Sequence, residues 1–222
     1  MSFYQYLVDN TAAERDYLLS APIIAACQRQ EITLPRYVAF LTEAYYHVRE
    51  TIPLLMACGS RLGPKHRWLQ DAITEYIEEE RGHDRWILAD IAACGADAQA
   101  VEQGTPRLAT ELMVSYAWDS VLRKNPVSFF GMVLVLEGTS VNLATPMGQL
   151  IQHKLGLPEK AMSYLYSHGS LDQSHIQFFR QLMERVEDEA DQQAILHMAR
   201  VMYQLYGNMF RALPMELPVE SL

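Results

Sequence analysis

Residues 160–187, KAMSYLYSHGSLDQSHIQFFRQLMERVE, decide how this chain is read. Ala161, Leu165, Phe179, Leu182 and Val186 recur at helical spacing, so the segment is an amphipathic helix with its apolar stripe turned to a core. Inside that stripe fall His168, Asp172 and His175, at i, i+4 and i+7. Three titratable side chains therefore point where apolar ones belong, and a core histidine ordinarily needs only one hydrogen-bond partner.

The same period extends in both directions, and almost no strand pattern interrupts it. Thr11 with Glu14 forms a capping box that opens a helix to about Arg29, and Pro35 opens a second that runs past a kink at Pro53 towards Cys58. A long helix from about His66 to Ala93 precedes the loop CGADAQAVEQGTP, which has room for one helical turn. Helices follow at about Pro106–Arg123, at about Val127–Lys154 with an interruption near Pro146, at about Lys160–Glu187 and at about Glu189–Arg211. The expectation is an all-α bundle of about seven helices, one domain over residues 1–222, with a loosely held tail from about 213.

Composition narrows the function classes. A chain of 222 residues, 50% hydrophobic, buries a sizeable core, and its net charge of −9 is spread without blocks, which argues against a nucleic-acid partner. The most apolar run, around Phe129 to Leu136, falls short of the ~20 residues of a membrane span, and no basic start precedes an apolar stretch in residues 1–20. Cys27, Cys58 and Cys94 are odd in number and set among Ala, Ile and Leu, as small buried hydrophobes of a reducing, cytoplasmic compartment are. The apolar last helix points to a homodimer.

Two further segments put polar groups on apolar faces. In YIEEERGHDRW, residues 76–86, Glu80 and His83 form an E-x-x-H pair between Ile73, Tyr76 and Ile77 on one side and Ile87 and Ile91 on the other. In FFGMVLVLEGTS, residues 129–140, Glu137 follows a nearly unbroken apolar run and shares its stripe with Phe130, Leu134, Val141 and Ala144. An unpaired carboxylate so placed would cost several kcal/mol, so a positive group belongs beside it. Each feature has a plain reading: E-x-x-H arises by chance, and Glu137 suits a buried arginine. Jointly, His83, His168, His175, Glu80, Glu137 and Asp172 on three helices are an inventory suited to two divalent irons in a bundle core. His47, on a face with Phe40, Ala44, Thr51 and Leu54, supplies a seventh ligand from a fourth helix, with Glu43 one turn before it as substitute; it reads equally as a satisfied core histidine. His66 and His153 read as surface residues and His197 as structural.

Here the order of motifs resembles a family. Glu80 and His83, then Glu137 about 54 positions on, then H-x-x-x-D-x-x-H about 31 further, is similar to the haem-oxygenase-like diiron oxidases, over roughly residues 35–185. That group includes the chlamydial death-domain-associated protein and the fatty-acid decarboxylase that makes 1-undecene. The resemblance implies a seven-helix fold shared with haem oxygenase, the TenA proteins and the cofactorless pyrroloquinoline-quinone synthases. It also implies two Fe(II) per chain, O2 as co-substrate, an external electron donor, and oxidation of a small amine, amino acid or carboxylic acid by C–C cleavage, decarboxylation or N-oxygenation. Some members add a glutamate on the first core helix where this chain has His47. No histidine precedes His47 to serve as a haem axial ligand.

Pocket-wall candidates are Tyr45, Tyr46, Tyr76, Phe129, Phe130 and Tyr164, with Arg49 as a carboxylate anchor, although an exposed or glutamate-paired arginine is the favoured reading there. The alternatives are a non-catalytic metal-binding or regulatory scaffold and a TenA-like hydrolase of thiamin fragments. The hydrolase needs a nucleophilic cysteine beside a carboxylate, and the three cysteines show no acidic neighbour at helical reach.

Overall fold

The structure is a computed structural model that describes residues 1–214, the side chains of residues 168–174 excepted. Twelve α-helices make up the described residues: α1 Phe3–Asp9, α2 Ala12–Leu19, α3 Pro22–Gln28, α4 Leu34–Val48, α5 Thr51–Arg61, α6 Arg67–Glu80, α7 His83–Ala93, α8 Ala98–Gln103, α9 Leu108–Arg123, α10 Phe129–Leu155, α11 Ser163–Met183 and α12 Glu189–Arg211. The central helix is α10, flanked along its length by α11 and α12, with α9 and α3 closing its other sides. One apolar cluster surrounds Phe130, Leu134 and Phe179, and a second surrounds Tyr37, Leu41 and Ile151.

The seven expected segments are present, but three of them are broken. The first divides into α2 and α3, and Thr11 does not cap α2: its hydroxyl donates instead to the Leu7 carbonyl at 2.8 Å, at the end of an unforeseen helix α1. The second breaks at Arg49–Glu50 rather than bending at Pro53. Proline has no N–H to give Arg49, and the break places it in the first turn of α5, where none is needed. The third breaks at Arg81–Gly82, between α6 and α7.

In contrast, Pro146 does not interrupt α10, which runs unbroken for 27 residues. Pro146 and Asn142, whose carbonyl loses its donor, both lie on the exposed face, so the lost bond falls on the solvent side of the helix. The stretch Pro126–Leu155 is long and apolar enough to cross a membrane by length and composition, contrary to the shorter run read above; 67% of its most apolar window is buried inside the bundle. The last helix likewise turns Ile195, Met198, Ala199 and Met202 into the core, so the face that suggested a homodimer is used within the chain. His66 is half-buried, its Nε2 2.6 Å from Asp191, while His153 and His197 are exposed.

Close approach of α10 and α12 depends on Gly131. A Cβ there would collide with the Ile195 carbonyl and come within 2.7 Å of the Ala199 nitrogen, both backbone atoms. Gly131→Ala is expected to lower unfolding free energy by about 1–3 kcal/mol, the usual cost of overpacking, measured by urea denaturation.

Candidate metal centre

Glu80 and His83 do not share a helix. Glu80 is the last residue of α6, His83 is the first of α7, and between them Gly82 takes φ +91°, a left-handed conformation open to glycine at little cost. The turn nevertheless brings His83 Nδ1 to 2.9 Å from Glu80 Oε2. Of the run Glu78–Glu80, Glu80 is the least exposed, and Glu79 reaches a buried ring from the solvent side. His83 is 1% exposed, and Trp86 stacks on its ring at 4.3 Å.

A second pair forms between α10 and α11. His175, 3% exposed, has Nδ1 3.9 Å from Glu137 Oε1 and Nε2 3.0 Å from Glu79 Oε2. Glu79 is half-exposed, so the ring bridges a wet carboxylate and a buried one. The Tyr76 ring meets His175 edge-on at 6.4 Å. Its phenol is buried without a hydrogen-bond partner, and its pKa is pushed well up, first by desolvation and then by the negative field of Glu137, Glu79 and Glu80.

These elements enclose a cavity of about 60 Å³ whose wall includes His47, Tyr76, Glu80, Glu137, Tyr164 and Tyr206. His47, 2% exposed on the last turn of α4, sets its ring edge-on to Tyr206 at 5.6 Å. No lysine or arginine lines the cavity among the described residues. Two carboxylates and an imidazole on one small wall, backed by two further buried imidazoles, are a donor set that suits divalent cations of intermediate softness. Among the described residues no three of these donors close on a common point. His168 and Asp172, on α11 between Tyr164 and His175, lie outside the described side chains.

Other candidates are placed elsewhere. Tyr45, Arg49 and Phe130 are not on the cavity wall: Arg49 lies over the Tyr46 ring at 5.0 Å and pairs with Glu50 at 3.5 Å, and Phe130 packs in the core against Tyr76. Phe129 is on the wall. Glu43 is not a stand-in for His47: its carboxylate accepts from Thr110 Oγ1 at 2.5 Å and from the Arg107 backbone N–H at 3.2 Å, capping the start of α9.

Sequence reasoning missed Asp90. Fully buried on α7, it accepts from the backbone N–H groups of Ser163 at 3.0 Å and Tyr164 at 2.8 Å, and so caps α11 from another helix. Desolvation raises its pKa despite these bonds. A buried-stripe position seven residues after His83 was the available signal. Asp90 also stands one turn before Cys94, the acidic neighbour that the sequence reading overlooked; burial first, and then the Asp90 charge, raise that thiol to about 11. Burial lifts Cys27 to about 11 and Cys58 to about 12. All three thiols are free and poorly ionised, unlike activated nucleophiles.

Comparisons with known proteins bear on the family and the fold. Residues 38–207 match a family model described as iron-containing redox enzyme. No curated protein sequence matches the chain. A domain of unknown function with a haem-oxygenase-like fold from Shewanella denitrificans superposes with a TM-score of 0.83 at 22% identity, over 93% of this chain and 90% of that one. A TenA homologue from Pseudomonas syringae gives 0.77 at 11% identity, over 94% and 90%, and haem oxygenase from Leptospira interrogans gives 0.75 at 17%, over 95% and 99%. These likenesses show the haem-oxygenase-like fold.

Two substitutions test how the site is held. Asp90→Ala should cost about 1–2 kcal/mol of stability, as loss of a helix cap does, read by urea denaturation. Gly82→Ala should cost a similar amount, about 1–2 kcal/mol, because alanine is strained at positive φ, and thermal unfolding checks it.

Proposed function

The chain belongs to the family of iron-containing redox enzymes, and on that premise we propose that it is a non-haem oxidoreductase that uses O2 and two Fe(II) ions. The ligands are Glu80, His83, Glu137, His168, Asp172 and His175, with His47 as the seventh. The observation that carries this reading is the small cavity wall shared by His47, Glu80 and Glu137, with the His83 ring 2.9 Å from Glu80 and the His175 ring 3.9 Å from Glu137. Imidazole and carboxylate donors brought together in a bundle core are a set that suits divalent cations.

Ferrous iron bound by mixed imidazole and carboxylate groups supplies O2 binding and its reduction. The chain's own residues do the rest. Glu79 accepts from His175 Nε2 and so leaves Nδ1 turned towards Glu137, fixing the tautomer as carboxylate partners of ligating histidines do. Tyr76, its phenol held neutral, and Phe129 wall the cavity against water. The substrate is a small amine, amino acid or carboxylic acid, oxidised by C–C cleavage, decarboxylation or N-oxygenation, with electrons from an external donor. Three free thiols suit a reducing, cytoplasmic compartment.

The haem oxygenases among the structural neighbours share the fold, but this sequence offers no histidine before His47 as axial ligand. A TenA-like hydrolase is disfavoured by thiols that burial keeps protonated.

Anaerobic loading with Fe(II) followed by metal analysis should give about two irons per chain. Glu137→Ala, His168→Ala and Asp172→Ala should each lose iron and oxidase activity while helical content, followed by circular dichroism, is unchanged. Full iron content with normal turnover in these variants would overturn the reading and favour a scaffold.

A further inference from the structure

Among the described residues, four buried hydroxyl groups have no hydrogen-bond partner: those of Tyr76, Ser120, Ser128 and Thr139. A buried donor left unsatisfied is costly, so each one calls for an explanation. Three have a plain one. A serine or threonine hydroxyl sits one bond beyond Cβ, and rotation about χ1 carries it to a nearby carbonyl of its own chain. Tyr76 has no such exit. Its hydroxyl stands at the far end of a rigid ring, out of reach of the α6 backbone, so a partner must come from across the space that the ring lines.

That space is the cavity of the candidate metal centre. Tyr76, 2% exposed, stands one turn before Glu80 on the same face of α6, and both line the cavity together with Glu137. The ring is held from other sides by Phe178, Phe130 and His175, with centroids 5.5, 6.5 and 6.4 Å away. Packing therefore fixes where the phenol stands. On the same wall, Ser140 already donates to the Leu136 carbonyl at 2.9 Å. The cavity, about 60 Å³, takes only a few heavy atoms.

We propose that Tyr76 is a catalytic residue whose phenolic O–H donates a hydrogen bond to O2 held in this cavity. The role rests on the metal centre proposed above, because ferrous iron is what binds and reduces O2 there. As O2 is reduced, negative charge builds on its oxygen atoms. A donor already in place and shielded from water stabilises that charge without reorganising. Tyr76 keeps its proton throughout, and no bond of its own forms or breaks.

Tyr76→Phe removes the hydroxyl and leaves the ring. In the metal-free protein its urea midpoint should equal or exceed that of the wild type, because no bond within the protein is lost. A lower midpoint would mean that the phenol is tied to the protein itself, and would overturn the proposal. Nitric oxide, a diatomic ligand of ferrous iron, then probes the iron-loaded protein by infrared spectroscopy. The N–O stretch of the wild type should shift in D2O; in Tyr76→Phe it should lie higher and the D2O shift should vanish. O2 consumption should slow about tenfold, as expected for loss of one hydrogen bond. An N–O stretch unmoved by the substitution would remove the donor role and leave the metal centre standing. Failure of the wild type to bind ferrous iron would remove the metal centre, and the role of Tyr76 with it.

Discussion

The structure turns on burying carboxylates in the most apolar part of the chain. Glu137 sits a third of the way along α10, 8% exposed, directly after the nearly all-apolar run Phe129–Leu136. Leaving such a group charged and unmatched costs several kcal/mol, comparable to the whole net stability of many domains. Helix packing alone would favour leucine there. The presence of Glu137 opposite His175, and of Glu80 opposite His83, is thus a constraint that the surrounding helices must satisfy. α6 and α11 approach α10 at the same level, and the cavity lies where they meet.

Buried acids fall into two groups here, and the distinction is chemical. Glu43, Asp90 and Asp191 are matched by hydrogen-bond donors of the structure itself. Glu43 and Asp90 accept backbone N–H groups at the starts of α9 and α11, and Asp191 takes Asn125 and the His66 ring. These are caps and clamps: they turn the electrostatic cost of burial into fixed angles between helices. Glu80 and Glu137 face imidazoles across or beside an open space instead. Imidazole can donate a hydrogen bond or bind a metal, so the metal centre proposed above rests on the second group.

That division explains what was legible in the sequence. Periodicity located the long helices, because an apolar stripe at 3.6-residue spacing records burial directly; α12 matches its expected bounds of Glu189 and Arg211 at both ends. Polar interruptions of a stripe showed where buried polar groups lie, and Glu137, His83 and His175 are all in the core. What periodicity does not record is the partner. Glu43 and Asp90 interrupt stripes just as Glu137 does, yet their partners are backbone groups 64 and 74 positions away in sequence. A neutral-looking amide leaves no mark in residue identity. For the same reason, Tyr76 and Tyr164, two of the tyrosines that line the cavity, are indistinguishable in pattern from Tyr45, which does not.

The helix breaks follow from the same logic. A continuous helix over residues 67–93 would place Glu80 and His83 one turn apart in a fixed relation set by the helix alone. Instead the chain reverses its φ at Gly82, and the two side chains meet from the end of one helix and the start of another. The break at Arg49–Glu50 likewise ends α4 just beyond His47. At both places regular backbone hydrogen bonding is given up within three residues of a buried polar side chain, while α10, which carries Glu137, remains whole even through Pro146. One unbroken helix thus carries Glu137, while Glu80 and His47 stand at the ends of helices that stop beside them. Donors from separate elements can reach a shared cavity in this way without forcing every helix axis to aim at it, and the regularity lost locally is confined to a few residues.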